Sequence, residues 1–150
     1  MSIVLVGRKE FGTDISRLWE TIIPADARLI GMTIFGDLIL ERADSVSLLR
    51  LSWFVMEEIG TVIDEVEWQL EAPSERGAHW VYPALVAQLP ARPAGHIYHF
   101  VTPLGLGGHP LPTNVTLLPI EDAHRGMRSL WSQVADLPSG TRVRTRQNPI

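Results

Sequence analysis

Five histidines, seventeen carboxylates and no cysteine define the chemistry open to this 150-residue chain. His96 and His99 are the closest histidine pair, but strand residues three apart point to opposite faces, so the two cannot hold one ion without a bend. Neither His109 nor His124 comes with the closed ligand set a metal needs. Polar or half-buried histidines are the expectation, with no metal and no cofactor. The run Gly105-Leu106-Gly107-Gly108-His109 has the glycines of a phosphate cradle but lacks a P-loop's lysine and hydroxyl, and Pro110 and Pro112 follow where a helix should open. It reads as a structural loop with left-handed glycines. No serine is bracketed by glycines as in a nucleophile elbow. Asp37, after Phe35-Gly36, reads better as a turn-capping aspartate than as an isolated catalytic acid, which would need a partner and a pocket. No catalytic residues are expected, and the chain is not expected to be an enzyme.

Charge is more informative. Up to Glu75 the chain carries 14 acidic and 6 basic residues, a net of −8, while the remainder sets three acids against seven arginines and restores the total of −4. Glu57, Glu58, Asp64, Glu65, Glu67, Glu71 and Glu75 place seven acids within nineteen residues, with no lysine or arginine between Arg50 and Arg76. An acidic face without basic i,i+4 partners repels itself by a few tenths of a kcal/mol per pair, roughly, and a cationic partner would relieve it. Glu57, Glu58, Asp64, Glu65, Glu67, Glu71 and Trp68 are therefore the candidate partner-binding residues. Trp53 and Trp80 are further aromatic anchors if exposed. Arg142, Arg144 and Arg146 line one side of a closing segment, where such charges chiefly block edge-to-edge pairing, so nucleic acid is not an expected direct partner.

These residues need elements to position them. Ile3 to Val6 reads as a short strand or extended arm. Asp14 can cap an amphipathic helix over Ile15 to Ile23, stopped by Pro24. Arg28 to Leu40 is strand-like, broken at Gly36-Asp37, and a second strand falls at Ser47 to Leu51. Ser52 to Ile59 is ambiguous, because Trp53, Phe54 and Val55 favour a strand and Met56, Glu57 and Glu58 do not. Val62, Ile63, Val66 and Leu70 stripe a second helix ended by Pro73, and Tyr82-Pro83 opens a third, with Leu85, Val86 and Leu89 inward. His96 to Val101 and Asn114 to Leu118 read as strands around the irregular loop Thr102 to Thr113. Ala123 to Val134 is a fourth helix, and Thr141 to Arg146 a closing strand. The expectation is one α+β domain spanning residues 1–150, a mainly antiparallel sheet packed with about four helices. The apolar run Ile3 to Val6 is too short for a signal-peptide core or a membrane span, so a cytoplasmic protein without a membrane partner is expected.

Arg28-Leu29-Ile30-Gly31, then Phe35-Gly36-Asp37-Leu38, Leu48 to Trp53 and the acidic segment resemble the opening of the type VI secretion immunity-protein family related to Tdi, in its carboxy-terminal domain. Trp80, Pro83-Ala84-Leu85-Val86, Tyr98-His99-Phe100, Pro103-Leu104, Leu106-Gly107-Gly108 and Asn114-Val115 are similar to that family in order and spacing. The resemblance covers residues 27–146, leaving 1–26 as an amino-terminal extension; His109 departs from it, standing where an acidic residue is expected. It implies an α+β cytosolic protein that binds and neutralises a cognate secreted toxin, typically a nuclease used in interbacterial competition, and it carries no catalytic residues. The acidic run would then stand in for nucleic acid in the toxin's cationic site. The competing expectation is a regulatory or scaffold module that binds another protein and opposes no toxin.

Overall fold

The computed structural model describes residues 5–62, 66, 70, 80–135 and 137. Strands β1 (Arg28–Met32), β2 (Leu38–Glu41), β3 (Val46–Arg50) and β4 (Val55–Gly60) form a four-stranded antiparallel meander in that order. The break expected at Gly36-Asp37 is the β1–β2 turn. Gly36 takes φ +85° and its N–H donates to Thr33 O at 2.9 Å, while Thr33 N–H donates back to Asp37 O at 2.9 Å. Only glycine adopts this conformation at little cost. The ambiguous Ser52 to Ile59 segment divides: Leu51–Trp53 is a single 3₁₀ turn, Phe54 is left-handed at φ 56°, and β4 follows.

Both faces of this sheet are covered. Leu38, Leu40 and Leu49 pack on one side with Ile15, Trp19, Ala123, Met127 and Trp131. Ile39, Val46, Leu48 and Ile59 pack on the other with Val66, Leu70, Trp80 and Val81. A strand buried on both faces must be apolar throughout, which is why β2 reads Leu38-Ile39-Leu40 without alternation. A second, two-stranded antiparallel sheet pairs β5 (His96–Phe100) with β6 (Val115–Pro119). Tyr98 N–H donates to Ile34 O at 2.9 Å and ties it to the β1–β2 turn. Around that junction Ile34, Phe35, Tyr98, Phe100, Leu85 and Leu104 form a third apolar cluster.

Three helices have bounds among the described residues: α1 (Asp14–Leu18), α2 (Pro83–Val86) and the long α3 (Ile120–Val134). The expected count was about four. The helix expected over Val62 to Leu70 is represented by Val66 and Leu70, both helical and fully buried as its apolar stripe requires. The first helix is shorter than its pattern. Asp14 is its first residue rather than its cap, and Trp19 O accepts the N–H groups of both Ile22 and Ile23 at 2.9 Å, so the chain reaches Pro24 through tight turns. The last helix begins earlier than Ala123, with Glu121 and Asp122 in its first turn, where the helix dipole favours acids. From the expected opening strand, Leu5 makes one antiparallel bridge to Thr33 and Val6 N–H donates to Met32 O. Met1 to Val4 and the closing stretch Thr141 to Arg146 lie outside the described residues. No described helix is long and apolar enough to cross a membrane.

Candidate partner-binding site

Among the seven residues expected to bind a partner, Asp64, Glu65, Glu67, Trp68 and Glu71 lie outside the described residues. Glu57 and Glu58 lie on β4, paired with Leu48 and Ser47 of β3. Neighbouring strand residues face opposite ways, so Glu57 shares the face of Leu48, and Glu58 shares the face of Leu49 and Met56. The two carboxylates do not make one patch by themselves. Glu57 is moreover paired across the hairpin, since its Oε2 lies 3.3 Å from Arg50 Nη1. The ion pair is asymmetric, with the Arg50 side chain 11% exposed and that of Glu57 43%. Glu57 is the more exposed member of the pair.

Arg50 gathers a cluster. Its Nη2 donates to Tyr82 Oη at 3.0 Å, and its guanidinium carbon stands 5.8 Å from the centre of the Trp53 ring, a cation–π distance. Trp53 Nε1–H donates to the same Tyr82 hydroxyl at 3.2 Å. Trp53 and Val55 nonetheless remain 42% and 46% exposed. The cluster depends on two left-handed residues that are not glycine, Phe54 at φ 56° and Tyr82 at φ 46°. Such positions cost about 1–3 kcal/mol and persist only where the surroundings enforce them.

The surroundings do so here. Asp37 Oδ1 accepts Leu51 N–H at 2.9 Å, and Ser52 Oγ accepts Leu104 N–H at 2.8 Å. A Cβ at Gly105 would stand 3.0 Å from the Phe54 ring and 3.2 Å from the carbonyl oxygens of Ser52 and Trp53, so glycine here lets the 103–108 turn press closely on the Trp53 turn. Phe54 lies edge-on to Trp131 at 5.9 Å, on the α3 side of the sheet. Every neighbour of Trp53 in the turn is pinned while its indole faces outward.

Asp37 is buried in the β1–β2 turn but does not cap it as expected: the side-chain bond within that turn runs from Asp37 N–H to Thr33 Oγ1 at 3.2 Å, while the Asp37 carboxylate reaches across to Leu51. Burial pushes its carboxyl up to about 7, against the pull of Arg50 and of the Leu51 N–H. His124, fully buried, accepts the Trp19 indole N–H at Nδ1 over 3.0 Å, and burial pushes it down to about 3. A described cleft of about 300 Å³ lies elsewhere, between Phe11, Asp14, Ile15 and Ile120, and holds neither Asp37 nor a histidine. At its edge Glu10 accepts hydrogen bonds from Arg92 at 2.7 Å, Gly95 N–H at 2.9 Å and Gly7 N–H at 2.7 Å, which pull it down to about 2. His96 bonds locally, its Nδ1 3.1 Å from Ala94 O.

The glycine-rich loop is structural in geometry. Gly107 is left-handed at φ +93°, and a Cβ on Gly108 would stand 2.0 Å from Thr102 O. Asn114 closes the loop: its Oδ1 accepts Thr102 N–H, and its Nδ2 donates to Thr102 O and His109 O. Trp80 is buried. The exposed Trp53 is thus the described tryptophan available as an anchor, which meets the condition its sequence role carries; no local signal marks Tyr82 or Arg50. No protein-family model matches the chain, and no curated protein matches its sequence.

Proposed function

We propose that this chain is a cytoplasmic immunity protein that binds and neutralises a cognate secreted toxin, a nuclease effector of interbacterial competition. The observation that carries the reading is Trp53, a tryptophan 42% exposed on a turn whose other members are all fixed. Tryptophan, tyrosine and arginine dominate the energetics of protein interfaces, and a side chain held in place before binding loses little entropy on binding. Trp53 and Tyr82 provide two of these types in one cluster, braced from below by the largely buried Arg50. The resemblance to the Tdi-related immunity family and the seven acids between Glu57 and Glu75 support a cationic toxin as the partner.

The test is co-expression. A secreted nuclease effector captured by pull-down on this chain from its source organism is expressed in a susceptible host with and without the chain, and the purified pair is examined by size-exclusion chromatography. Restored growth with a co-eluting complex is the expected outcome. A toxin that kills equally in both cultures, and elutes alone, would overturn the reading.

A further inference from the structure

The exposed side of the Trp53 cluster has a definite chemistry. Trp53 and Val55 offer apolar surface, the half-buried Tyr82 is hydrogen-bonded to Trp53, and Glu57, 43% exposed, lies two residues along β4 from Val55. Arg50 and Val55 are direct cross-strand partners, and Glu57 is two residues along β4 on the same face, so these groups share one side of the sheet. Of the Arg50–Glu57 pair, the acidic member is the more exposed, 43% against 11%, so the charge this edge offers a partner is negative. The Trp53 ring also already accepts a guanidinium from within the chain. Arginine suits such a surface better than lysine: its planar head stacks on an aromatic ring, it is weakly hydrated, and it bonds a carboxylate through two parallel N–H groups.

We propose that the Trp53–Val55–Glu57–Tyr82 surface docks an arginine-bearing segment of the partner protein, whose guanidinium stacks on Trp53 and pairs with Glu57. This inference deepens the toxin-binding reading and rests on it for the partner's identity. The stem of the arginine covers Val55, and the cluster needs no rearrangement to receive it. Asp37 and Arg50 act as positioning residues, the first through the Leu51 N–H and the second through Tyr82 and Trp53.

The experiment uses the full chain and two synthetic probes, an alternating Arg–Val hexapeptide and its Glu–Val counterpart, followed by NMR of the tryptophan indole N–H groups. The Trp53→Phe variant identifies the Trp53 resonance. The Arg–Val peptide is expected to shift that resonance saturably while those of the buried Trp19 and Trp131 stay in place, and the Glu–Val peptide to shift none. Glu57→Gln should weaken Arg–Val binding about tenfold, and raised salt should weaken it further. A Trp53 resonance that ignores the Arg–Val peptide, or answers both peptides alike, overturns the proposal. So does unchanged affinity in Glu57→Gln, shown folded by an unaltered melting temperature. Growth rescue that survives Trp53→Ala would sink this surface and leave toxin binding standing; a Trp53 response to the peptide without rescue by the wild type would do the reverse.

Discussion

Asp37 Oδ1 accepts the backbone N–H of Leu51 at 2.9 Å, so a carboxylate in the β1–β2 turn holds the start of the turn that presents Trp53. The bond spans fourteen residues and joins two sheet connections at the same end of the meander. Because Asp37 is buried, this link has a consequence for pH.

The Asp37 carboxyl rises from 3.8 in an unfolded chain to about 7 in the fold. Between those values the folded state binds more protons than the unfolded state, so this group's stability is full below pH 3.8 and lost as pH climbs through about 7. Asp37→Asn keeps an oxygen for Leu51 N–H and cannot ionise. Denaturant titrations from pH 4 to 8 should show the wild type losing stability relative to Asp37→Asn, on the order of a few kcal/mol in total. Parallel pH profiles would refute the account of Asp37.

His124 acts with the opposite sign. Its value falls from 6.5 to about 3 on burial, so its contribution is complete above pH 6.5 and disappears as the solution is acidified through about 3. His124→Phe removes that dependence and strips the buried Trp19 indole N–H of its acceptor, at a cost of about 1–3 kcal/mol near neutrality. His124→Gln, which retains an acceptor, should recover part of the loss. Equal stability of the two variants in urea would contradict the hydrogen-bond assignment.

Gly36 and Gly95 separate two costs. Both have positive φ, but a Cβ on Gly36 would lie 2.5 Å from Ile97 Cδ1 and 3.0 Å from Leu51 Cδ1, whereas nothing lies within 4 Å at Gly95. Gly95→Ala should cost about 1–2 kcal/mol from conformation alone. Gly36→Ala adds overpacking of roughly 1–3 kcal/mol more. Thermal unfolding of the two variants side by side measures the difference, and equal losses would show that the core yields around Gly36.

Much of this architecture can be read along the chain. The Gly36-Asp37 break and the stripe of Met127, Leu130, Trp131 and Val134 are local patterns, and both lie where the sequence places them, whereas the burial of Leu38-Ile39-Leu40 on both faces depends on what covers the sheet. The site is less legible, for physical reasons. Ser52 to Ile59 is ambiguous because the adjoining Trp53, Phe54 and Val55 favour a strand and the residues after them do not, and nothing local signals the positive φ at Phe54 that forms the Trp53 turn. Arg50 and Glu57 meet across a hairpin, and Tyr82 joins them from 29 residues beyond Trp53, so no window along the chain contains the cluster. The acidic run misleads at its start, since strand alternation sends Glu57 and Glu58 to opposite faces and Arg50 pairs with one of them.

The most direct measurement is calorimetric titration of an effector captured by pull-down on this chain into the wild type, Trp53→Ala and Tyr82→Phe, each first shown to be folded. A central anchor typically contributes at least about 2 kcal/mol, so Trp53→Ala should bind roughly thirtyfold or more weakly, with a smaller loss in Tyr82→Phe, which loosens the ring without removing it. Wild-type affinity in Trp53→Ala would contradict the claim that this turn is built to hold a partner.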